Sequence, residues 1–239
     1  MDTPFNPSLH ALSHSLDLLK DTYNYNHWIY SLLREHLGDT ICEVGAGTGN
    51  LTQFFLPAQS VLCIEPEAQY GDALRRLAQV HLNLQVYSGG LADCAGARGH
   101  AAAFATVVCV NVLEHIEDDA QALEQMESLL QAGGRLLLYV PAGPWAYGHL
   151  DRQLGHFRRY SKRRIRQLAA QVGFELERCI YVNFAGVFGW FWHSRVLGRD
   201  VVSPQSAQFV DRLVPYLSAV ERLVRPVVGQ SLFAVLRKP

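Results

Sequence analysis

The 239-residue chain lacks an excess of charge of either sign, because 21 Lys and Arg stand against 22 Asp and Glu. Proteins that hold nucleic acid through general electrostatics carry an excess of basic residues. The balance therefore argues against a nucleic-acid partner. The chain also lacks an apolar run of the about 18 residues that cross a bilayer. Its amino terminus lacks the basic segment and apolar run of a signal peptide. We expect no stable membrane insertion and a cytoplasmic protein.

Paired cysteines are missing as well, since none of the five cysteines forms a C-x-x-C motif. Three of them, Cys42, Cys63 and Cys109, fall inside predicted buried strands. There they are expected to act as small apolar fillers in a reducing compartment. The sequence thus predicts neither a disulfide framework nor a metal site.

What the chain does contain is a regular alternation of short apolar strands and helices from residue 40 onward. This pattern is typical of parallel strands joined by right-handed crossovers. No clear linker or repeat interrupts it, so residues 1–239 are predicted to form a single domain. The predicted strands are 40–44, 60–64, 83–87, 105–110, 134–140, 174–183 and 231–236, and the main helices are 50–56, 67–79, 117–130 and 161–172. The segment 89–103 is expected to be a loop or a frayed helix.

Three glycines spaced two apart, Gly45, Gly47 and Gly49, follow the first strand. A strand that turns sharply into a helix needs positive φ values, and glycine also lets a ligand approach the main chain closely. The helix that follows points unpaired N–H groups and its positive dipole end at that ligand. Glu65 ends the second strand about twenty residues past the loop, where a carboxylate can bind both hydroxyls of a ribose.

With Glu43 two residues ahead of the first glycine, the loop resembles the first motif of class I S-adenosylmethionine (SAM)-dependent methyltransferases. The similarity continues through 111–116, which closes strand four, and 130–138, a glycine turn into strand five. It implies a doubly wound, seven-stranded Rossmann-like sheet, mostly parallel with the last strand antiparallel, and SAM as cofactor. A nucleotide-sugar or nicotinamide enzyme is the alternative. The implied cofactor contacts are Tyr25, Glu43, Gly45, Ala46, Gly47, Gly49, Glu65, Pro66, Leu91 and Asn111.

The chain departs from the family pattern at two places. Many members place an Asp after strand three to accept the adenine amino group, whereas Gly90 or Leu91 stands near that place here. Adenine is therefore expected to be held by backbone and apolar contacts, with Asp93 as a weaker candidate. Ala105 replaces the usual Asp at the start of strand four, and that Asp is generally structural.

Residues 1–37 are predicted to form an N-terminal helical cap over one edge of the sheet. Its aromatic residues Tyr23, Tyr25 and Trp28 arrive just before the glycine loop. In the family such aromatics often close over SAM, and we favour Tyr25 as the one beside the ligand. Simple packing against the sheet is the alternative.

The segment 141–161 after strand five is rich in Gly, Pro, His and aromatic residues, and loops on rigid scaffolds often carry function. Within it, His149 and His156 are the candidate catalytic bases. A satisfied structural histidine is the alternative for either one alone. Paired guanidinium groups suit an acidic acceptor. The candidates for acceptor binding are Asp151, Arg158, Arg159 and Tyr160.

For two further groups of residues we expect structural roles only. Glu114 and His115 are expected to begin a helix, where they cap and pack. Lys162, Arg163 and Arg166 are expected to form the solvated face of the helix 161–172.

Residues 184–229 are predicted to form a helical insert between strands six and seven. Inserts of this length in a compact domain are usually functional covers or interfaces. We predict a cover over the acceptor pocket. A homodimer interface is the stronger alternative, and contact with a membrane surface is the weaker one.

These patterns together predict transfer of the SAM methyl group to oxygen or nitrogen of a small-molecule acceptor, such as an acidic metabolite. One alternative is other SAM chemistry, such as intramolecular cyclisation or aminocarboxypropyl transfer. A non-catalytic SAM-binding partner protein is the other.

Overall fold

Seven strands form one sheet in the order β3-β2-β1-β4-β5-β7-β6. The computed structural model describes residues 22–97, 99–191, 204–224 and 226–239. The predicted first helix around Leu9–Leu19 lies outside the described residues. The strands are β1 (Thr40–Val44), β2 (Ser60–Ile64), β3 (Leu84–Tyr87), β4 (Phe104–Val110), β5 (Leu130–Pro141), β6 (Glu175–Val182) and β7 (Ser231–Arg237).

Strands β1 to β5 pair in parallel, and β7 runs antiparallel to both β5 and β6. This topology confirms the predicted seven-stranded sheet with its antiparallel last strand. The strand order reverses between β1 and β4, and in open α/β sheets ligands bind at such a point, outside the carboxyl ends of the strands. The candidate site should therefore lie where β1 and β4 end.

Helices cover both faces of the sheet, which explains why the central strands are almost wholly apolar. Successive side chains alternate between the faces, so that Cys42 and Leu136 join one core cluster while Ile41 and Leu137 join the other. The described helices are α1 (Tyr23–Leu33), α2 (Thr52–Phe55), α3 (Ala68–Val80), α4 (Leu91–Gly96), α5 (Asp119–Leu129), α6 (His149–Gln153), α7 (Lys162–Val172), α8 (Phe184–Phe191) and α9 (Pro204–Val224).

The segment between β4 and α5 differs from the sequence expectation. Glu114 and His115 lie in a short 3-10 turn, and α5 begins only at Asp119. Asp118 provides the helix cap, because its carboxylate accepts the N–H of Gln121 at 2.9 Å. The prediction that Glu114 and His115 begin a helix is therefore wrong, which leaves both side chains available at the strand end.

The structure also bears on two smaller predictions, about the segment 89–103 and about the basic residues of α7. The segment 89–103, expected to be a loop or a frayed helix, contains the short helix α4. On α7, Arg163 and Arg166 are exposed as predicted, whereas Lys162 is half-buried with its ammonium 4.7 Å from the ring centre of Tyr181.

The insert between β6 and β7 contains α8 and α9, and two acidic residues of α9 fasten it to the rest of the chain. Asp211 accepts the backbone N–H groups of Asn24 at 3.2 Å and Tyr25 at 2.9 Å, at the start of α1. Glu221 accepts the N–H groups of Asn183 and Phe184, both at 2.8 Å, at the start of α8. Carboxylates at these positions satisfy the unpaired donors and the positive dipole end of each helix.

Replacing Asp211 with alanine is expected to lower the free energy of unfolding by about 0.5–2 kcal/mol, the usual cost of losing a helix cap. The backbone N–H of Tyr25 should then exchange with solvent faster, because it loses its acceptor. Urea unfolding and amide hydrogen exchange measure the two effects. Arg212→Ala, at the exposed neighbouring position of α9, is the matched control. Unchanged exchange at Tyr25 in Asp211→Ala would contradict the capping role.

No helix in the described part of the chain is long and apolar enough to cross a membrane.

Candidate active site

The three glycines of the loop after β1 all have positive φ, as the sequence predicts. The values are +71° at Gly45, +55° at Gly47 and +87° at Gly49. The Gly45 N–H donates to the carbonyl of Ile64 at 2.8 Å, which ties the loop to the end of β2. A Cβ added at Gly45 would lie 2.3 Å from Cγ2 of Val112. Both backbone conformation and space therefore require glycine at this position.

Glu65 holds the loop from the end of β2. Its carboxylate accepts the N–H of Gly47 at 2.7 Å and the N–H of Glu67 at 2.9 Å. Burial raises the pKa of this carboxyl group, and the two backbone hydrogen bonds act against that rise. The side chain thus lies against the glycine loop, at the strand end where a ribose-binding acid is expected.

Glu43 lies beneath the same loop. Its carboxylate accepts the hydroxyl of Thr52 at 2.6 Å and lies 3.6 Å from Sγ of Cys63. Burial raises the pKa of Glu43 to about 7, although these hydrogen bonds oppose the shift. Glu43 therefore lines the cleft and also links β1 to the start of helix α2 through Thr52.

A single cleft brings together most of the predicted cofactor contacts at the carboxyl ends of β1 and β4. Asn111, in left-handed conformation with φ +53°, follows β4 into this cleft. On the opposite side, the hydroxyl of Tyr25 lies 3.1 Å from that of Tyr139. The predicted residues that line the cleft are Tyr25, Glu43, Gly45, Ala46, Gly47 and Asn111.

The remaining predicted cofactor contacts lie beside this cleft. Pro66 is exposed directly after Glu65, and Gly49 lies at the start of the turn into α2. Leu91 is only 9% exposed and packs with the core cluster that contains Cys94. Contacts of Gly49, Glu65, Pro66 and Leu91 with the cofactor stay predictions.

Asp151 organises the loop after β5. It is 1% exposed, and its carboxylate accepts from the Gly148 N–H at 2.9 Å, His156 Nδ1 at 2.9 Å and Arg159 Nε at 2.7 Å. Burial tends to raise the pKa of Asp151, but the bonds from His156 and Arg159 outweigh it and lower the pKa. Asp151 and Arg159 are thus buried partners of each other, and their contact with the acceptor stays a prediction.

Arg158 and Tyr160 clamp this loop to the segment after β4. Arg158 donates to the carbonyls of Ile116 and Glu117 and lies 3.2 Å from the carboxylate of Asp119. Tyr160 is fully buried, and its hydroxyl donates to the carbonyl of Leu113 at 3.2 Å. These contacts hold the loop in place, and contact of either residue with the acceptor stays a prediction.

The two candidate catalytic histidines have different environments. His149 is exposed on α6, with its Nε2 2.9 Å from Nε2 of Gln153. The side chain of His156 is 11% exposed, and Asp151 fixes its orientation through Nδ1. That bond leaves Nε2 of His156 as the nitrogen available for chemistry. The structure therefore favours His156 over His149 as the reactive residue.

His156 belongs to a cluster of three side chains that the sequence did not predict. A carboxylate oxygen of Glu114 and one ring nitrogen each of His115 and His156 lie within 4.8 Å of one another. Burial raises the pKa of Glu114 to about 8, and burial together with the charge of His156 lowers the pKa of His115 to about 4. The sequence predicted no metal site because 41 positions separate His115 from His156, and only the docking of two loops joins them.

The insert meets the cofactor cleft at Tyr25. A mainly apolar cavity of about 230 Å³ lies between α1, α8 and α9, and Tyr25 lines both this cavity and the cleft. The other described residues around it include Trp28 of α1, Gly186 of α8 and Leu213 of α9. The insert therefore adjoins the cleft at Tyr25.

Comparisons with known proteins point to one family. A family model described as "Methyltransferase domain" matches residues 18–178. The human thiol S-methyltransferase TMT1B is 28% identical over 112 residues, which are 45% of this chain and 46% of that protein. The matched part thus spans about half the length of this curated relative.

Two solved structures show the same fold at low sequence identity. The geranyl diphosphate C-methyltransferase of Streptomyces coelicolor A3(2) is 14% identical, with a TM-score of 0.61 over 87% of this chain and 78% of its own. The [4+2]-cyclase SpnF is also 14% identical, with a TM-score of 0.59 over 88% of this chain and 80% of its own. At this identity the likeness concerns the fold alone.

Proposed function

Because this chain belongs to the class I SAM-dependent methyltransferase family, we propose that it transfers the methyl group of SAM to oxygen or nitrogen of a small-molecule acceptor. SAM is the cofactor of this family. The observation that carries the proposal is the glycine loop after β1, whose three glycines all have positive φ. Gly45 and Gly47 line one cleft with Asn111, and Glu65 accepts the N–H of Gly47 at 2.7 Å. In this arrangement, Glu65 would bind the ribose hydroxyls and Asn111 would face the methionyl half of the cofactor.

The reaction is an in-line displacement at the methyl carbon of a cationic sulfonium. Its rate depends chiefly on holding the acceptor atom and the methyl group in line, and positioning of this kind can supply roughly 7–11 kcal/mol. The cleft supports such positioning because its walls are the ends of β1 and β4 and the helix α1. The insert beside Tyr25 is proposed to cover the acceptor and exclude water.

An acidic acceptor has less support from the structure than from the sequence. The two arginines that suggested it are paired with protein carboxylates, Arg158 with Asp119 and Arg159 with Asp151. The acceptor class is therefore proposed more broadly as a small molecule with a nucleophilic oxygen or nitrogen.

The product nucleoside tests the proposal against the alternatives. S-adenosylhomocysteine in the reaction mixture means methyl transfer, whereas methylthioadenosine means cyclisation or aminocarboxypropyl transfer. One fold can host unrelated chemistries, so this measurement is needed beside the family assignment. Absence of SAM binding by calorimetry would support a non-catalytic partner protein.

Replacing Glu65 with alanine is expected to weaken SAM binding by roughly ten- to a hundred-fold. Hydrogen bonds to a charged group contribute about 1.5–3 kcal/mol, and each 1.4 kcal/mol is a factor of ten in the dissociation constant. Calorimetric titration of SAM measures the change. Glu65→Gln keeps one acceptor oxygen and should lose less affinity. Glu67→Ala, next to the site, is the control for general damage to this strand end. Wild-type affinity in Glu65→Ala would show that the cofactor is placed wrongly.

A homodimer remains an alternative use of the insert. Several large apolar side chains of α9 are exposed in the described chain, among them Phe209, Tyr216 and Leu223. Contiguous apolar surface of this kind often marks an interaction site. The small-molecule partner, the absence of a nucleic-acid partner and the cytoplasmic location all stay predictions.

A further inference from the structure

The buried carboxylate of Glu114 needs an explanation that the methyl-transfer site alone does not supply. Its side-chain oxygen Oε2 is buried and has no hydrogen-bond partner within residues 22–97, 99–191, 204–224 and 226–239. Burying a polar oxygen without a partner is costly, and native structures contain few such groups. One ring nitrogen each of His115 and His156 lies within 4.8 Å of a carboxylate oxygen of Glu114, and the centres of the two rings lie 4.7 Å apart, edge to face.

We propose that Glu114, His115 and His156 bind one divalent transition-metal ion, which holds the acceptor oxygen beside the methyl donor. The part of this proposal that concerns the acceptor rests on the proposed function, whereas the metal site rests on the geometry of these three side chains.

The distances fit one ion after small side-chain rotations. The three ligand atoms lie within 4.8 Å of one another. Donors bound to one metal ion at about 2.0–2.2 Å lie roughly 3–4 Å apart. A shift of about an ångström at His115 and His156 closes this difference; His115 is half-buried, and the side chain of His156 is 11% exposed. Glu114, which is fully buried, would then gain the partner that its Oε2 lacks.

The surroundings orient the ligands in the way that metal sites require. Asp151 binds His156 through Nδ1 at 2.9 Å, so Nε2 is left for the ion, and carboxylate–histidine–metal arrangements of this kind are usual. The Phe157 N–H donates to the carbonyl of Glu114 at 2.8 Å and holds the two ligand-bearing loops together.

The ligand set also indicates the class of metal. Two imidazoles and one carboxylate suit Zn²⁺, Co²⁺, Fe²⁺ or Mn²⁺, whereas Mg²⁺ prefers oxygen ligands. Three protein ligands leave coordination positions open for an exogenous oxygen. Asn111, three residues before Glu114 in the chain, lines the cofactor cleft. The charge of Glu114 also adds to burial in raising the pKa of Tyr25 on the opposite wall.

An ion at this place would act as a Lewis acid on an acceptor hydroxyl. The hydroxyl bound to the ion releases its proton to solvent, and the oxygen lone pair forms the new bond to the methyl carbon. The carbon–sulfur bond breaks with its electron pair going to sulfur, which leaves the neutral thioether of S-adenosylhomocysteine. The protein thereby activates a hydroxyl without needing a histidine to take its proton.

Titration with Co²⁺ tests the site, because its visible ligand-field bands report nitrogen and oxygen ligands directly. The full chain, with any affinity tag removed and stripped of metal by chelation and dialysis, should bind one Co²⁺ that Mg²⁺ does not displace. Glu114→Gln and His115→Ala should each weaken Co²⁺ binding by about 100-fold or more, since even outer-shell changes cost 10–100-fold. His149→Ala, in the same loop as His156 but outside the cluster, should bind Co²⁺ like the wild type.

Acetohydroxamate, a small bidentate oxygen ligand, tests the open positions and should shift the Co²⁺ bands. Absence of Co²⁺ binding, or equal binding in wild type, Glu114→Gln and His115→Ala, overturns the metal site. A Co²⁺ spectrum that acetohydroxamate leaves unchanged overturns the role in holding the acceptor.

Calorimetry of SAM on the same proteins separates the two proposals. Folded variants that bind SAM but lose Co²⁺ support the site, and a wild type that binds Co²⁺ but not SAM overturns the proposed function alone.

Discussion

Replacing Gly47 with valine is expected to abolish SAM binding while the protein stays folded. Gly47 has φ +55°, lines the cleft and donates its N–H to Glu65 at 2.7 Å. This backbone conformation is unfavourable for a β-branched residue. The valine side chain would also occupy the space that the methionyl or ribose group needs. Steric exclusion of this kind removes the bound state itself, so no SAM affinity should be measurable by calorimetry at any attainable concentration.

A matched glycine separates loss of the ligand from strain in the backbone. Gly133, near the start of β5, has φ +75° and open space around its Cβ position. Gly133→Val therefore carries similar backbone strain at a place remote from the cleft. It should lower the melting temperature about as much as Gly47→Val and yet bind SAM normally. SAM binding by Gly47→Val near the wild-type level would mean that the cofactor does not approach this main chain.

The conformation of the glycine loop and the strands around it could be predicted from the sequence because local constraints determine them. Positive φ at Gly45, Gly47 and Gly49 follows from the sharp turn between a strand and a helix, and three glycines within five residues indicate that turn. Strand alternation is equally local, since the apolar runs of the central strands and their spacing are visible in the chain. The sheet order then follows from the resemblance to a known family.

The acceptor side could not be predicted in the same way because contacts distant in sequence determine it. Arg158 and Arg159 looked like anion-binding residues, but each has a buried carboxylate partner, Asp119 and Asp151. The periodicity of the chain does not reveal which carboxylate a guanidinium group meets. Likewise, Asp211 caps α1 across 186 positions, and sequence patterns show only caps that lie next to their helix.

Replacing His156 with alanine is expected to lower turnover by roughly 10²–10⁴-fold, the usual contribution of a positioned acid–base group, with little change in SAM affinity. The reason is that His156 lies with Glu114 and His115 and is not among the residues that line the cofactor cleft, so we expect it to act on the acceptor. The loss should be of this size whether its Nε2 takes a proton or binds an ion that activates the acceptor.

The comparison with two other variants makes the prediction specific. His149→Ala should keep turnover near the wild-type value, because His149 is exposed on α6 and is not part of the cluster. Asp151→Asn should lower turnover less than His156→Ala, since the ring stays in place but loses the carboxylate that fixes its tautomer. Turnover is measured as S-adenosylhomocysteine formed at saturating SAM, and affinity by calorimetry.

If His156→Ala lost SAM affinity in proportion to turnover, the loop after β5 would belong to the cofactor site. If His149→Ala lost as much turnover as His156→Ala, the reactive histidine would be misassigned.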